Sequence, residues 1–471
     1  NDIWDGESLL DESVFTDNYA DKHMLLLRNK FFKSCAFRTK LQKWIQDKNI
    51  TLDDLKARGF VTLATDVSQI VMVTTPNSLK YLKFAGGLTE KNIRKWIESV
   101  DNTFGVVKWD KSTRFFHGDM VQSSYQLLNT LGIDKAQAEE QLKPSFDYIS
   151  LIRNDVEFMR YHFTDAYARE KDGEEKKVPD GLAERAEVIF CLLMSYTTFD
   201  STALYANFRD DVVSGLKGNL RRGHILLNGT NATLFGNGPE LLKYIAGEEV
   251  TSELKKGQIY SKRFENGAKL LCARSPHITM GNLYCVENNL DGGIWDYFDL
   301  GNNIVCVNAI GENIQQRLNG CDYDSDTMLV TDDKLLVETA EKYKGFFKVP
   351  VCEIETAGKT DQTLAELDHD TSENKIGEIV NLSQKLNSII WSEIHHGAPV
   401  GKILEIYNDV CKLAVLSGLE IDKAKRSYDN VNVGKELSAL RKKYNRPAPM
   451  FFKEIDERDK ENEYEFYDTA M

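Results

Sequence analysis

The sequence predicts an α+β protein in which two β-rich segments alternate with two helical ones. Three observations carry that expectation. Short apolar runs with alternating and β-branched residues lie near the start, as in "MLLLRNKFFKSCAF" and "IVMVTTPNSLKYLKF". Similar runs return later with glycine turns, in "GHILLNGTNATLFGN", "GAKLLCARSPHITMGN", "NNIVCVNAIG" and "TMLVT", which is a barrel-like signature. Between and after them the apolar residues fall at helical spacing, as Ile93, Trp96, Ile97 and Val100 do.

The elements follow in order. Residues 1–86 form the first β-rich segment. Residues 87–208 read as a helical insertion that Thr89 caps at its start, broken by the charged loop "EKDGEEKKVPDG". The apolar stretch "VIFCLLMSYTTF" within it reads as a core helix. Residues 209–338 form the second β-rich segment. Residues 339–471 read as a C-terminal helical region, notably "TSENKIGEIVNLSQKLNSIIW", with an acidic tail "DERDKENEYEFYD".

Composition narrows the function classes. A chain of 471 residues exceeds one ordinary domain, and length alone suggests roughly three. The mix of 42% hydrophobic and 28% charged residues is that of a packed, soluble protein. No run reaches the ~18 apolar residues that would span a bilayer, so no membrane partner is expected. The eight cysteines include no C-x-x-C pair, which argues against a zinc site or a disulfide framework. With no signal-peptide pattern at the start, the expected compartment is the cytoplasm. A net charge of −14 argues against adhesion to nucleic acid through a global field, but not against local basic patches. Candidates are "LKGNLRRGH" (Lys217, Arg221, Arg222), "DKAKRS" and "LRKKYNR" (Arg441, Lys442, Lys443, Arg446), each equally readable as a solvated helix face. The oligomeric state is not legible.

The most telling stretch is "NGCDYDSDTMLV", Asn319 to Val330. On an extended strand, Asp322, Asp324 and Asp326 would share one face. Three carboxylates that close repel one another and raise each other's pKa values, a penalty that a divalent cation removes. Oxygen-only ligands point to Mg²⁺ or Ca²⁺ rather than zinc. The ordinary competitor is a solvated acidic loop. A calcium loop of the EF-hand kind fits less well, because Thr327 stands where its sharp turn wants glycine.

"NGCDYDSD" resembles the metal-binding aspartate loops of multisubunit RNA polymerases and of silencing RNA-dependent RNA polymerases. Its neighbours agree in order. "ARSPHITMGN" is similar to the segment that lines the nucleotide site in those families, and "NNIVCVN" to the strand before the aspartates. "FFKSCAF" and "TPNSLKYLKF" resemble the two lysine-bearing elements of the first barrel. "ENKIGEIVNLSQKLNSI" and "LSGLEIDKAKRS" resemble later helical elements, the latter with Lys423 or Lys425 at a lysine position. The single-chain form looks most like bacterial and phage-encoded two-barrel polymerases.

That resemblance implies two double-psi β-barrels, a helical insertion and a C-terminal helical region. It implies a template-directed RNA polymerase that uses ribonucleoside triphosphates, a nucleic-acid template and an RNA product. Asp322, Asp324 and Asp326 would be catalytic metal ligands for Mg²⁺, or Mn²⁺ in its place. Lys33 and Lys83 would be catalytic cations, with Lys80 a rival to Lys83, and Arg274, Pro276 and Lys80 would contact the substrate. One position departs: the family carries glycine where this chain has Ser325, and glycine permits backbone geometry that serine resists. Ser325 therefore supports the main alternative, a catalytically inactive nucleic-acid-binding relative. A metal-dependent nuclease would use the same aspartates.

Overall fold

The computed structural model describes residues 3–83, 85–101, 103–113, 115–170, 182–354, 363, 365–366, 372, 374–423, 431–455 and 463–467. Most of the charged loop after Glu170, most of the acidic tail and Lys425 lie outside the described residues. The chain is mixed α+β and divides into two compact units. The first comprises Asn1–Ser112, Gly229–Ser275 and Gly281–Val351; the second comprises Thr113–Asn228, Pro276–Met280 and Cys352–Met471.

The first unit opens with a five-stranded sheet. Its strands are β1 (Glu7–Asp11), β2 (Met24–Asn29), β3 (Phe32–Thr39), β4 (Met72–Thr74) and β5 (Gly105–Trp109), in the order β4-β1-β3-β2-β5. β1 runs parallel to β3, and the other neighbours are antiparallel. Both faces of this sheet are covered, which is why its strands read as continuous apolar runs. Leu9, Met24, Leu26, Cys35 and Phe37 enter one core cluster. The alternate residues Leu10, Leu25, Leu27, Phe32 and Ala36 enter another, with Leu79, Leu82 and Trp96.

The strand β6 (Met120–Gln122) belongs to the second unit. The first unit resumes with β7 (Leu226–Phe235, from Gly229 on), β8 (Gln258–Tyr260), β9 (Lys269–Ala273), β10 (Tyr284–Asn288), β11 (Ile304–Val307) and β12 (Thr327–Thr331). These pair in the order β11-β8-β10-β9-β12-β7, and β7 pairs back to β11, which closes a six-stranded barrel. Ala232, Leu234, Ile259, Leu270, Val286, Val305, Val307, Met328 and Val330 fill it. The five-stranded sheet has no closing pair among the described residues. Sheet and barrel share one core, in which the rings of Phe37 and Phe235 lie 4.3 Å apart, with Trp44, Leu242 and Phe298 around them.

The second unit is mainly helical. Helices Lys135–Asn154, Val156–Glu170, Leu182–Ser195 and Ala203–Arg221 contribute to a core of Tyr148, Ile152, Met159, Ile189, Leu193 and Phe208. The first of them is started by a reciprocal cap between Asp134 and Gln137. The long helices Ile376–His395 and Val400–Asp422 pack on each other. The former buries polar residues that are satisfied: Gln384 accepts from Asn129 Nδ2 at 3.0 Å and donates to the His277 carbonyl at 2.8 Å. Small pairings complete the unit, β6 with Leu226–Asn228 and β13 (Ala448–Pro449) with β14 (Tyr464–Glu465).

Several elements differ from expectation. Residues 87–208 are not helical throughout, because "GVVKW" adds to the edge of the first sheet as β5 and "MVQ" forms β6. Their short alternating patterns sit between helical stretches of greater length and were absorbed by them. The stretch "PNSLKYLK" is not strand: Pro76 starts a 3-10 turn and Lys80–Lys83 form another. Thr89 does cap its helix, accepting from Asn92 N at 3.2 Å. Among the described residues no helix is long and apolar enough to cross a membrane.

Phe37 is fully buried in the core that sheet and barrel share. Phe37→Ala is expected to cost about 3–5 kcal/mol of unfolding free energy, read as a lowered urea midpoint of the full chain.

Candidate metal centre

The turn that leads into β12 gathers three carboxylates. Asp322, Asp324 and Asp326 each offer an oxygen, and these oxygens all lie within 4.8 Å of one another. The aspartates converge, but not as alternate residues of a strand. The segment before Thr327 is a bend that its own backbone stabilises. Asp322 N donates to Asp326 Oδ2 at 3.0 Å, and Asp324 N donates to Asp322 Oδ1 at 3.3 Å. A short polar residue that bonds its own backbone two residues on favours such a turn over a strand. β12 then anchors the bend to the barrel, with the Asp326 carbonyl accepting from Leu234 N at 2.8 Å.

Ser325 sits at φ 105, in the region that favours glycine. The position where the resembling polymerases carry glycine is thus one where this backbone calls for it, and the chain meets the requirement with a strained serine.

The other wall of the cluster comes from the first sheet. Lys33, on β3, forms an ion pair through Nζ with Asp324 Oδ2. Gly6, just before β1, approaches so closely that a Cβ there would lie 2.5 Å from the Asp324 Cβ. The carbonyl of Asp5 accepts from Tyr323 N at 2.8 Å, and the carbonyl of Gly6 accepts from Cys35 N at 2.9 Å. The segment "DG" therefore joins the aspartate turn to the lysine strand. Sequence reading missed its role. The signal available was a glycine directly before an apolar strand, where close backbone approach is a usual reason for glycine.

Arg274, directly after β9, holds the turn from the barrel side. Its Nη2 lies 2.7 Å from Asp326 Oδ2, and its Nη1 donates to the carbonyls of Leu318 and Asn319, each at 3.1 Å. In this arrangement its planar fork braces the loop. Lys80 Nζ donates to the Asn77 carbonyl at 2.9 Å. Lys83 ends the 3-10 turn, and its side chain lies outside the described residues. Pro276 belongs to the second unit. Of the predicted residues, the structure thus brings together the three aspartates, Lys33 and Arg274.

Electrostatics suits a hard cation. Asp322 is pushed up to about 7, first by burial and then by the charges of Asp324 and Asp326. Lys33 and Arg274 each engage one of the other two aspartates, so the cluster holds one carboxylate more than these two cations match. An all-oxygen donor set with excess negative charge fits Mg²⁺ or a similar divalent ion.

Behind the site lies Glu7, fully buried on β1. Its Oε2 accepts from Gly236 N at 2.7 Å. Burial raises it to about 8, with the Gly236 amide opposing and Glu240 adding to the shift. The cysteines form no disulfide among the described residues.

In structure, the chain is similar to the RNA-dependent RNA polymerase QDE-1 from Thielavia terrestris, with a TM-score of 0.51 and 16% sequence identity. The likeness covers 93% of this chain and 46% of that one, so the chain spans about half the length of this structural neighbour. No protein family and no curated protein matches by sequence.

Two outcomes follow. Ser325→Gly relieves the strained φ and is expected to stabilise the protein by about 1–2 kcal/mol, seen as a raised melting temperature. For Glu7, a folded pKa above the ordinary carboxyl value means that its stability contribution is complete below about pH 4.5 and is lost as pH rises through 8. Glu7→Gln should therefore gain on the parent chain in urea melts as the pH is taken from 5 to 8. A gap between the two that stays constant over that range would contradict the assignment.

Proposed function

We propose that this chain is the core of a template-directed RNA polymerase, transferring nucleotidyl groups from ribonucleoside triphosphates to a growing RNA. The observation that carries the reading is the pairing of Lys33, from the first sheet, with Asp324 on the barrel's aspartate turn. It is supported by the likeness in fold to an RNA-dependent RNA polymerase. In this reading the five-stranded sheet plays the part of the first double-psi barrel and the closed six-stranded barrel that of the second.

Asp322, Asp324 and Asp326 would hold Mg²⁺, or Mn²⁺ in its place. Divalent ions at such a site make a 3′-hydroxyl more acidic and neutralise charge on departing pyrophosphate. The chain's residues do the rest. With Asp324 among the ligands, the Lys33 ammonium, its present partner, would face the phosphates of the incoming nucleotide. A fixed cation there stabilises negative charge that builds up at the reacting phosphorus. Lys83, or Lys80 in its place, supplies a second such charge. Arg274 keeps the aspartate turn in shape by gripping Asp326 and the carbonyls of Leu318 and Asn319. The template, whether RNA or DNA, and the RNA product are the macromolecular partners.

Ser325 favours a second reading, an inactive relative that binds nucleic acid without turnover, since serine stands at φ 105 where the active families carry glycine. Incubation with RNA or DNA templates, all four ribonucleotides and Mg²⁺ or Mn²⁺ separates the two. The polymerase reading expects labelled product, reduced about 100-fold or more by Asp324→Asn and by Lys33→Ala in protein that still melts cooperatively. Binding of template without product in either metal would leave only the inactive relative. Cleavage of strands without nucleotides would indicate a nuclease.

A further inference from the structure

The second unit carries a cavity of about 560 Å³ that the proposed reaction does not use, a size in the usual range for small-molecule sites of about 300–1,000 Å³. One wall is a face of the helix Ile376–His395, where Asn381 and Lys385 follow each other at helical spacing. The other wall is Arg441, at the end of the helix Val433–Lys443, with Asn445 and Arg446 just beyond it. Buried Phe452 adds an apolar side.

The motif "LRKKYNR" is sorted by this geometry. Lys443 turns away to Asp409 at 2.7 Å and Glu405 at 3.0 Å, and Tyr444 donates to the same Asp409 at 2.7 Å. Asp409 is buried and holds its carboxyl below the usual range, opposed by burial and favoured by these bonds. That anchoring leaves Arg441 and Arg446 at the cavity. Arg441 pairs with Glu378 at 2.8 Å, and Arg446 pairs with Glu465 at 2.7 Å while its guanidinium lies 4.5 Å from the Tyr467 ring centre. Lys385 Nζ donates to the Arg446 carbonyl. Both arginine pairs are solvent-exposed, and exposed pairs of this kind contribute only about 0–1 kcal/mol. A phosphate, which takes two parallel bonds from each fork, competes with such carboxylates.

We propose that this cavity binds a nucleotide. Arg441 and Arg446, with Lys385, take the phosphates, and the side-chain amides of Asn381 and Asn445 meet the edge of the base. An amide offers both a donor pair and an acceptor, the combination that base edges present. An acidic peptide would offer these cations only carboxylates, which Glu378 and Glu465 already supply. The ligand is either a free nucleotide or a nucleotide within a single strand, since the recognising chemistry is the same. The inference does not depend on the polymerase reading.

The test uses the full chain carrying Asp324→Asn, in EDTA, so that no nucleotide is held through metal at the aspartates. Guanosine and adenosine triphosphates and a short single-stranded oligoribonucleotide are titrated separately, with dissociation constants from calorimetry or anisotropy. Saturable binding is expected, weakened about tenfold by Arg441→Gln and by Asn445→Leu, and unchanged by Lys334→Gln, which alters an exposed cation in the first unit. Tighter binding of the strand assigns the strand as ligand, and equal or weaker binding assigns the free nucleotide. Asn445→Leu breaks no ion pair and decides the matter if Arg441→Gln disturbs folding. The proposal is overturned if no probe binds, or if Lys334→Gln weakens binding as much as Asn445→Leu does.

Discussion

Three carboxylates within 4.8 Å of one another are the constraint around which the first unit is arranged. Left to itself, such a cluster pushes apart or takes up protons. Here it is gripped from both sides. Arg274 reaches from the barrel to Asp326 and to the carbonyls of Leu318 and Asn319, and Lys33 reaches from the sheet to Asp324. Beneath them the backbone of Asp5 and Gly6 meets that of Tyr323 and Asp324 with no side chain between. Each grip is tied to a strand, so the turn's shape depends on the register of β1, β3, β9 and β12 together.

That dependence explains the apolar character of the surrounding strands. A turn that must hold repelling charges needs a stiff support, and close-packed interiors supply stiffness. The sheet buries both faces, and the barrel is filled by its own side chains. Gly236 contributes in the same way: its amide bonds the buried carboxyl of Glu7, and a Cβ there would lie 2.9 Å from the Tyr323 ring. Tyr323, between two of the aspartates, is itself fully buried. The turn therefore alternates between side chains that face the charge cluster and a ring that locks it to the core.

Much of this was legible in the sequence. The apolar runs marked most of the strands, because burial on both faces leaves few polar residues in them. The aspartates and Lys33 were legible through the ordered set of short motifs. The geometry of the turn was not, since a spacing of two fits both a strand and a tight bend, and only the backbone bonds of Asp322 and Asp324 decide between them. Gly6 was hidden because its partner is Asp324, more than three hundred residues away in sequence, and one glycine carries no sign of what it approaches. β5 was hidden because an edge strand with exposed alternate residues has little apolar signal to set against its helical neighbours. The resemblance gave Arg274 a substrate contact, whereas its bonds to Asp326, Leu318 and Asn319 belong to tertiary structure alone.

The division of the first unit among three segments of the chain bears on how the protein is made. Trp4 Nε1 donates to the Asn237 carbonyl at 2.6 Å, and the Gly236 amide finds its acceptor in Glu7. On the ribosome, the five-stranded sheet emerges long before the barrel against which half of its apolar surface is to be buried. For the time needed to synthesise Thr113–Asn228, that surface has no native cover. Contacts this distant in sequence slow folding, and exposed apolar strands invite association with other chains meanwhile. The aspartates lie directly before β12, the last strand of the barrel, so their meeting with Lys33 waits on the end of the first unit's synthesis.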